Sequence, residues 1–227
     1  RSLRHDNFVP DIAVIDPELT LDCPRDITSA SGMDCFTQLI ESFLSVKASV
    51  YTDALAVAGL KSIKRSLLRS YAVGSDLEAR TDMSFAALTS GICLANAGLG
   101  TVHGLAGTIG GLHDIPHGLV CGTLMAVANE VNVRELRKGP SGSEALTKYA
   151  TLGKIFIDSA GGSNDYYIDG FISYLHELTE DLELPGLRKF GLNQNDIRII
   201  SSQTDNKNNP VRLGADELVE IVSRRLV

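Results

Sequence analysis

The chain has 227 residues, 21 of them basic and 28 acidic, for a net charge of −7 spread without a block of like charge. That length can bury a sizeable core as one large domain or two small ones, and the dispersed negative charge argues against nucleic acid or an anionic membrane as partner. No apolar run approaches the roughly 20 residues of a membrane span, no basic-then-apolar signal segment opens the chain, and Cys23, Cys35, Cys93 and Cys121 lack CxxC spacing, so a soluble protein in a reducing, cytoplasmic setting is expected.

The first element is "DIAVIDPEL", in which Ile12-Ala13-Val14-Ile15 is a short apolar, β-branched run closed by Asp16-Pro17. It reads as a buried strand 12–15. No second convincing strand follows, so the sheet that would pair it is expected to be missing. From about residue 31 the apolar spacing is helical. Ser31 and Asp34 have the S/T-x-x-D spacing of a capping box, which predicts a helix start at Ser31. In 52–70, Leu55, Leu60, Ile63, Leu67 and Leu68 form a stripe largely opposite Lys61, Lys64, Arg65 and Arg69, the pattern of an amphipathic surface helix. The next segment, 83–100, is apolar all round and rich in Ala, Gly and Ser, which predicts a central helix. A glycine-rich stretch with Pro116 and a second buried run, "LVCGTLMAVANEV", follow. Further helical patterns cover 143–158, 164–182, 194–202 and 214–226, separated by "AGGSN", "LPG" and "NKNNP". The fold class expected is mainly α, a bundle of about seven or eight helices preceded by one residual strand.

Four residues stand out as candidate ligands. Asp34 and Gln38 are four apart, so on a helix their oxygen donors share one face. His103 and His117 would stand about 21 Å apart on an unbroken helix. The intervening glycines and Pro116 break it and let His117, in a new first turn, return toward His103. Each also has an ordinary structural explanation: Asp34 as a cap partner, each histidine as a hydrogen-bonded core residue, the glycines as aids to helix packing. Spacing alone leaves both readings open. His113 reads as a loop residue, and His5 and His176 as surface residues.

The strings "SGMDCFTQLIES", "NAGLGTVHG" and, fourteen residues past the first histidine, "IPHG" resemble the iron-containing (group III) alcohol dehydrogenases. "VPDIAVIDPELT" is similar to the strand that leads from that family's cofactor domain into its helical domain, and "NKNNPV" to its final asparagine-proline signature. The motifs lie in the family's order from about residue 9 to residue 213. The resemblance implies an N-terminal α/β domain that binds NAD or NADP and a C-terminal helical domain, of the kind shared with dehydroquinate synthases, that holds Fe2+ or Zn2+. Residues 1–22 would then be a remnant of the cofactor domain and 23–227 the metal- and substrate-binding domain.

By position, the family's metal ligands fall on Asp34, Gln38, His103 and His117. The family usually has histidine where Gln38 stands, and an amide oxygen is a poorer ligand than imidazole for a borderline metal. A second departure is Gly107, where many members place another histidine beside the nicotinamide and substrate. No catalytic group beyond the ligands is implied. The activity implied is hydride transfer between the carbon of a small-molecule alcohol and the nicotinamide, interconverting the alcohol and its aldehyde or ketone with the metal polarising the substrate oxygen, and with the chain alone inactive. The rivals are a metal-independent reductase on the same fold, like the maleylacetate reductases, and a non-catalytic helical bundle. An exposed strand edge would invite a homodimer.

Overall fold

The computed structural model describes residues 5–8, 10–139 and 143–227. Residues 1–4 and Val9 of the expected N-terminal remnant lie outside it. Nine α-helices are formed among the described residues: α1 (Arg25–Leu44), α2 (Val50–Ala72), α3 (Leu77–Ala97), α4 (Thr101–Leu112), α5 (His117–Leu136), α6 (Glu144–Phe156), α7 (Asn164–Asp181), α8 (Gln194–Gln203) and α9 (Ala215–Arg224). The all-helical fold read from the periodicity is therefore present, with ends close to those expected for the last four helices.

The strand at 12–15 is not. Among the described residues no strand forms, and Ile12 and Val14 are 79% and 84% exposed. β-Branched residues favour a strand only where a neighbouring strand takes their backbone groups and covers their side chains, and nothing here does either. The run gives way to a short 3-10 turn, Pro17–Thr20, capped by Asp16 through the Glu18 N–H. Among the described residues the sheet edge expected to invite a second copy is therefore not formed.

The start of α1 corrects a second expectation. The helix begins at Arg25 behind Pro24, with Asp26 in its first turn, so Ser31 is not a cap but lies in the helix interior. Its hydroxyl donates to the Ile27 carbonyl at 2.7 Å, and that of Ser29 to Asp26 at 3.0 Å. A serine that bonds back to the preceding turn satisfies itself without ending the helix. Asp34 therefore sits midway along α1.

Two hydrophobic clusters make up the core, one built mainly from α1, α2, α6 and α7, the other from α4, α5, α8 and α9. Helix α5 belongs to both: Met125, Ala126, Val133 and Leu136 face the first, and Val120, Leu124, Val127, Ala128 and Val131 the second. A helix with a core on each side must be apolar all round, and α5 is the central helix. The segment 83–100 expected there is instead the outer helix α3. Its small residues Ala86, Ser90, Cys93 and Ala97 are buried, while Phe85, Leu88 and Ile92 face outward. In α2, Leu60, Ile63 and Leu67 are buried as the stripe predicts.

Two breaks set the course of α4, and the second separates the histidines. Helix α3 stops at Gly98, whose φ of 76° is open to glycine at little cost, and α4 departs at 98° to it. Helix α4 then stops at His113, and α5 starts behind Pro116, where the fixed φ suits a first turn. No single helix among the described residues is long and apolar enough to cross a membrane.

Candidate metal centre

Helix α1 presents Asp34, Gln38 and Glu41 at i, i+4 and i+7, one face of the helix. Across from them, α4 brings His103 in its first turn and α5 brings His117 as its first residue. The two imidazole centroids lie 5.4 Å apart. His103 Nε2 is 3.1 Å from Asp34 Oδ1, and His117 Nε2 is 3.8 Å from the same oxygen. Cys121, one turn beyond His117 on α5, places Sγ 3.6 Å from His117 Nε2. One donor atom from each of Asp34, His103, His117 and Cys121 falls within 4.8 Å of all the others.

The close approach of α5 to α1 depends on Gly118. A Cβ at that position would run into the carbonyl oxygen of Ala30 and press on Asp34, so only glycine lets the first turn of α5 lie against α1. The start of α4 is fixed from the other side by the loop 204–213. Asn208 N–H donates to the Leu99 carbonyl at 3.0 Å, Asn206 Oδ1 accepts from Thr101, and Asn209 pairs its amide with that of Asn132 on α5. The "NKNNPV" string thus ties together the helices that carry the two histidines.

Glu41 was not among the residues singled out in the sequence, yet it organises the site. Its side chain is buried; Oε1 accepts from the Val102 N–H at 2.6 Å and Oε2 lies 2.7 Å from His103 Nδ1. A carboxylate at the N-terminus of α4 meets the positive end of the helix dipole and an otherwise unpaired N–H. Its second oxygen holds Nδ1, which turns Nε2 toward Asp34. The sequence signal was the i+7 spacing from Asp34. Cys121 was read as a small hydrophobe; its signal was the i+4 spacing from His117.

Gln38 lies beside Asp34. Its Nε2 donates to Asp34 Oδ2 at 3.0 Å, and its oxygen accepts from the Ser90 hydroxyl at 2.9 Å. The other histidines stay apart: His113 meets Asp196 at the end of α4 and His176 pairs with Glu130.

Among the protein groups alone, His103 shares a proton with the carboxylates of Asp34 and Glu41, and a metal ion would take the place of that proton on Nε2. Burial works against the charged Asp34 carboxylate, but the His103 hydrogen bond and charge, with His117 and Cys121, outweigh it and hold Asp34 below its usual range. Burial also works against a charged His103, and its bonds to Asp34, Cys121 and Glu41 overcome this and push it up to about 12. His117 is pulled down, chiefly by burial. Burial pushes the Cys121 thiol up to about 11. His103 is 4% exposed and His117 52%, so the cluster is closed on one side and open to solvent on the other. A carboxylate and two imidazoles with an open side suit a catalytic divalent metal.

Residues 28–226 match the model of the Fe-containing alcohol dehydrogenase family, C-terminal part. Alcohol dehydrogenase 4 of Saccharomyces cerevisiae is 30% identical over 223 residues, covering 96% of this chain and 55% of the yeast protein. The NADPH-dependent butanol dehydrogenase of Clostridium saccharobutylicum is 32% identical over 224 residues, covering 95% and 55%. Among solved structures, a 1,3-propanediol oxidoreductase superposes with a TM-score of 0.84 at 30% identity, covering 92% of this chain and 54% of that one. The chain spans about half the length of the relatives it matches. From residue 28 onward, it belongs to the Fe-containing alcohol dehydrogenase family and corresponds to that family's C-terminal, helical part.

Proposed function

We propose that this chain is the metal-holding, substrate-facing half of an NAD(P)-linked alcohol dehydrogenase that interconverts a small alcohol and its aldehyde or ketone. The observation that carries the reading is the convergence of Asp34, His103 and His117, from three different helices, on one partly open point. Fe2+ or Zn2+ fits that donor set. When bound, such an ion supplies Lewis acidity toward an alcohol or carbonyl oxygen.

The chain's own residues hold and orient. Asp34 gives the negative charge that a divalent cation requires, Glu41 fixes the ring of His103, and Gln38 steadies the second oxygen of Asp34. His117, half exposed, marks the side from which a substrate oxygen arrives. One turn beyond His103, a Cβ at Gly107 would meet nothing within 4 Å, which leaves room along α4 for substrate and nicotinamide. No side chain at Gly107 can relay a proton. The nicotinamide is bound, in this reading, by the half of the relatives' length that the match does not cover, so residues 1–227 alone do not turn over alcohols with NAD(P). The four unpaired cysteines agree with a reducing compartment.

Metal analysis tests the reading. Protein exposed to iron(II) or zinc and freed of excess should retain a single ion per chain, and Asp34→Ala or His117→Ala should lose it. Retention well below stoichiometric, and unaffected by either change, would remove the metal from the account.

A further inference from the structure

Gln38 leaves the expected ligand set with a weak member, and the structure offers a replacement for it. We infer that Cys121 is the fourth protein ligand of the metal centre, in the place that Gln38 was expected to fill. The inference rests on the metal reading above and adds to it a sulfur donor.

Donors about 2.0–2.3 Å from a four-coordinate ion stand about 3.3–3.8 Å from one another, and such a centre can expand to five-coordinate when a substrate oxygen joins it. Three of the six separations lie at or near that range, 3.1 Å from His103 Nε2 to Asp34 Oδ1, 3.8 Å from His117 Nε2 to Asp34 Oδ1 and 3.6 Å from Cys121 Sγ to His117 Nε2, and all four donors fall within 4.8 Å of one another. His117 and Cys121 occupy successive turns of α5, so the helix itself sets their spacing. The thiol is fully buried, whereas His117 is half exposed.

Gln38 is turned the wrong way for the task. Its oxygen is engaged by Ser90 and its NH2 faces Asp34 Oδ2. In this orientation the group that meets Asp34 is the amide nitrogen, which has no lone pair to give a metal. Its place is to support Asp34 from behind. On binding, a metal–sulfur bond forms as the Sγ–H bond breaks, the proton leaves to solvent, and no electron is transferred. A thiolate shifts the preference of the centre from iron(II) toward zinc.

Cobalt(II) reports the sulfur directly. Wild-type protein titrated with cobalt(II) should develop a near-ultraviolet thiolate-to-cobalt charge-transfer band together with visible ligand-field bands. Cys121→Ser should keep ligand-field bands, lose the charge-transfer band and bind zinc at least about tenfold more weakly, the lower end of what an outer-shell partner alone is worth. Cys121→Ala, checked by circular dichroism, guards against misfolding from a buried hydroxyl, and Gln38→Ala should keep the charge-transfer band. Ligand-field bands without charge transfer in the wild type, or a charge-transfer band that survives both Cys121 changes, would overturn the assignment while leaving the metal centre standing. No cobalt signal at all would overturn both.

Discussion

Glu41 holds His103 with one carboxylate oxygen and the start of α4 with the other: Oε2 lies 2.7 Å from His103 Nδ1, and Oε1 takes the Val102 N–H at 2.6 Å. One buried side chain thus anchors the start of α4 and sets the direction in which His103 presents its other nitrogen. Glu41→Gln should leave the helices in place but lower metal affinity by about 10–100-fold, the usual loss when an outer-shell partner of a ligand is changed. Competition against a chelator of known affinity measures it. Unchanged affinity would mean that Glu41 serves the helix end only.

Gln38 should behave as a support and not as a ligand. Gln38→Ala removes two hydrogen bonds, to Asp34 Oδ2 and from Ser90, and should cost about 1–3 kcal/mol of stability. Its effect on metal affinity should be less than about tenfold, below the range for a fully engaged outer-shell partner. Thermal melts and the same chelator competition separate the two effects.

Two glycines near the site should respond in opposite directions to alanine. At Gly118 the new methyl meets the Ala30 carbonyl, so Gly118→Ala should destabilise by about 1–3 kcal/mol and, by moving His117, weaken metal binding. At Gly107 a methyl meets nothing within 4 Å, so Gly107→Ala should stabilise α4 by about 0.4–1 kcal/mol through the unfolded chain's lost freedom. Urea unfolding of the two variants beside the wild type is sufficient.

Acid should loosen the seam between α5 and α9. Arg134 grips Glu220 through two bonds of 2.8 Å, and Arg224 grips Glu130 at 2.9 and 2.7 Å. Arg224, then His176, holds Glu130 below its ordinary value of 4.5, and Arg134 does the same for Glu220. Folded-state values lowered in this way contribute stability that is present above the unfolded value and lost as pH falls through the folded one. The loss therefore begins near pH 4.5 and continues below it. Glu130→Gln with Glu220→Gln should flatten that acid limb and leave the neutral plateau with the same slope; both pairs are partly exposed, so the effect should shrink in high salt.

The helices were legible because each long segment carries an apolar period that solvent and core enforce. The return of His117 to His103 was legible from Pro116, which ends any continuous helix between them; the four intervening glycines do not break α4, which runs through them to Leu112. Three readings failed, each because the surroundings outweigh the local pattern. Ile12-Ala13-Val14-Ile15 has strand chemistry but no neighbouring strand. Segment 83–100 has the composition of a buried helix, yet its Phe85, Leu88 and Ile92 face outward while α5 takes the centre. Ser31 has cap spacing but bonds back to Ile27 inside a helix that started earlier. Glu41 and Cys121 went unread because a buried carboxylate and a core thiol gain their meaning only from His103 and His117, which reach them through tertiary contacts.

The central claim, that Asp34, His103 and His117 hold one divalent metal ion, is tested most directly by anomalous scattering at the zinc edge from crystals of the zinc-loaded protein. The account predicts a single peak about 2.0–2.2 Å from an oxygen of Asp34 and from one ring nitrogen each of His103 and His117. A peak elsewhere, or none, with those three side chains still hydrogen-bonded to one another, would contradict it.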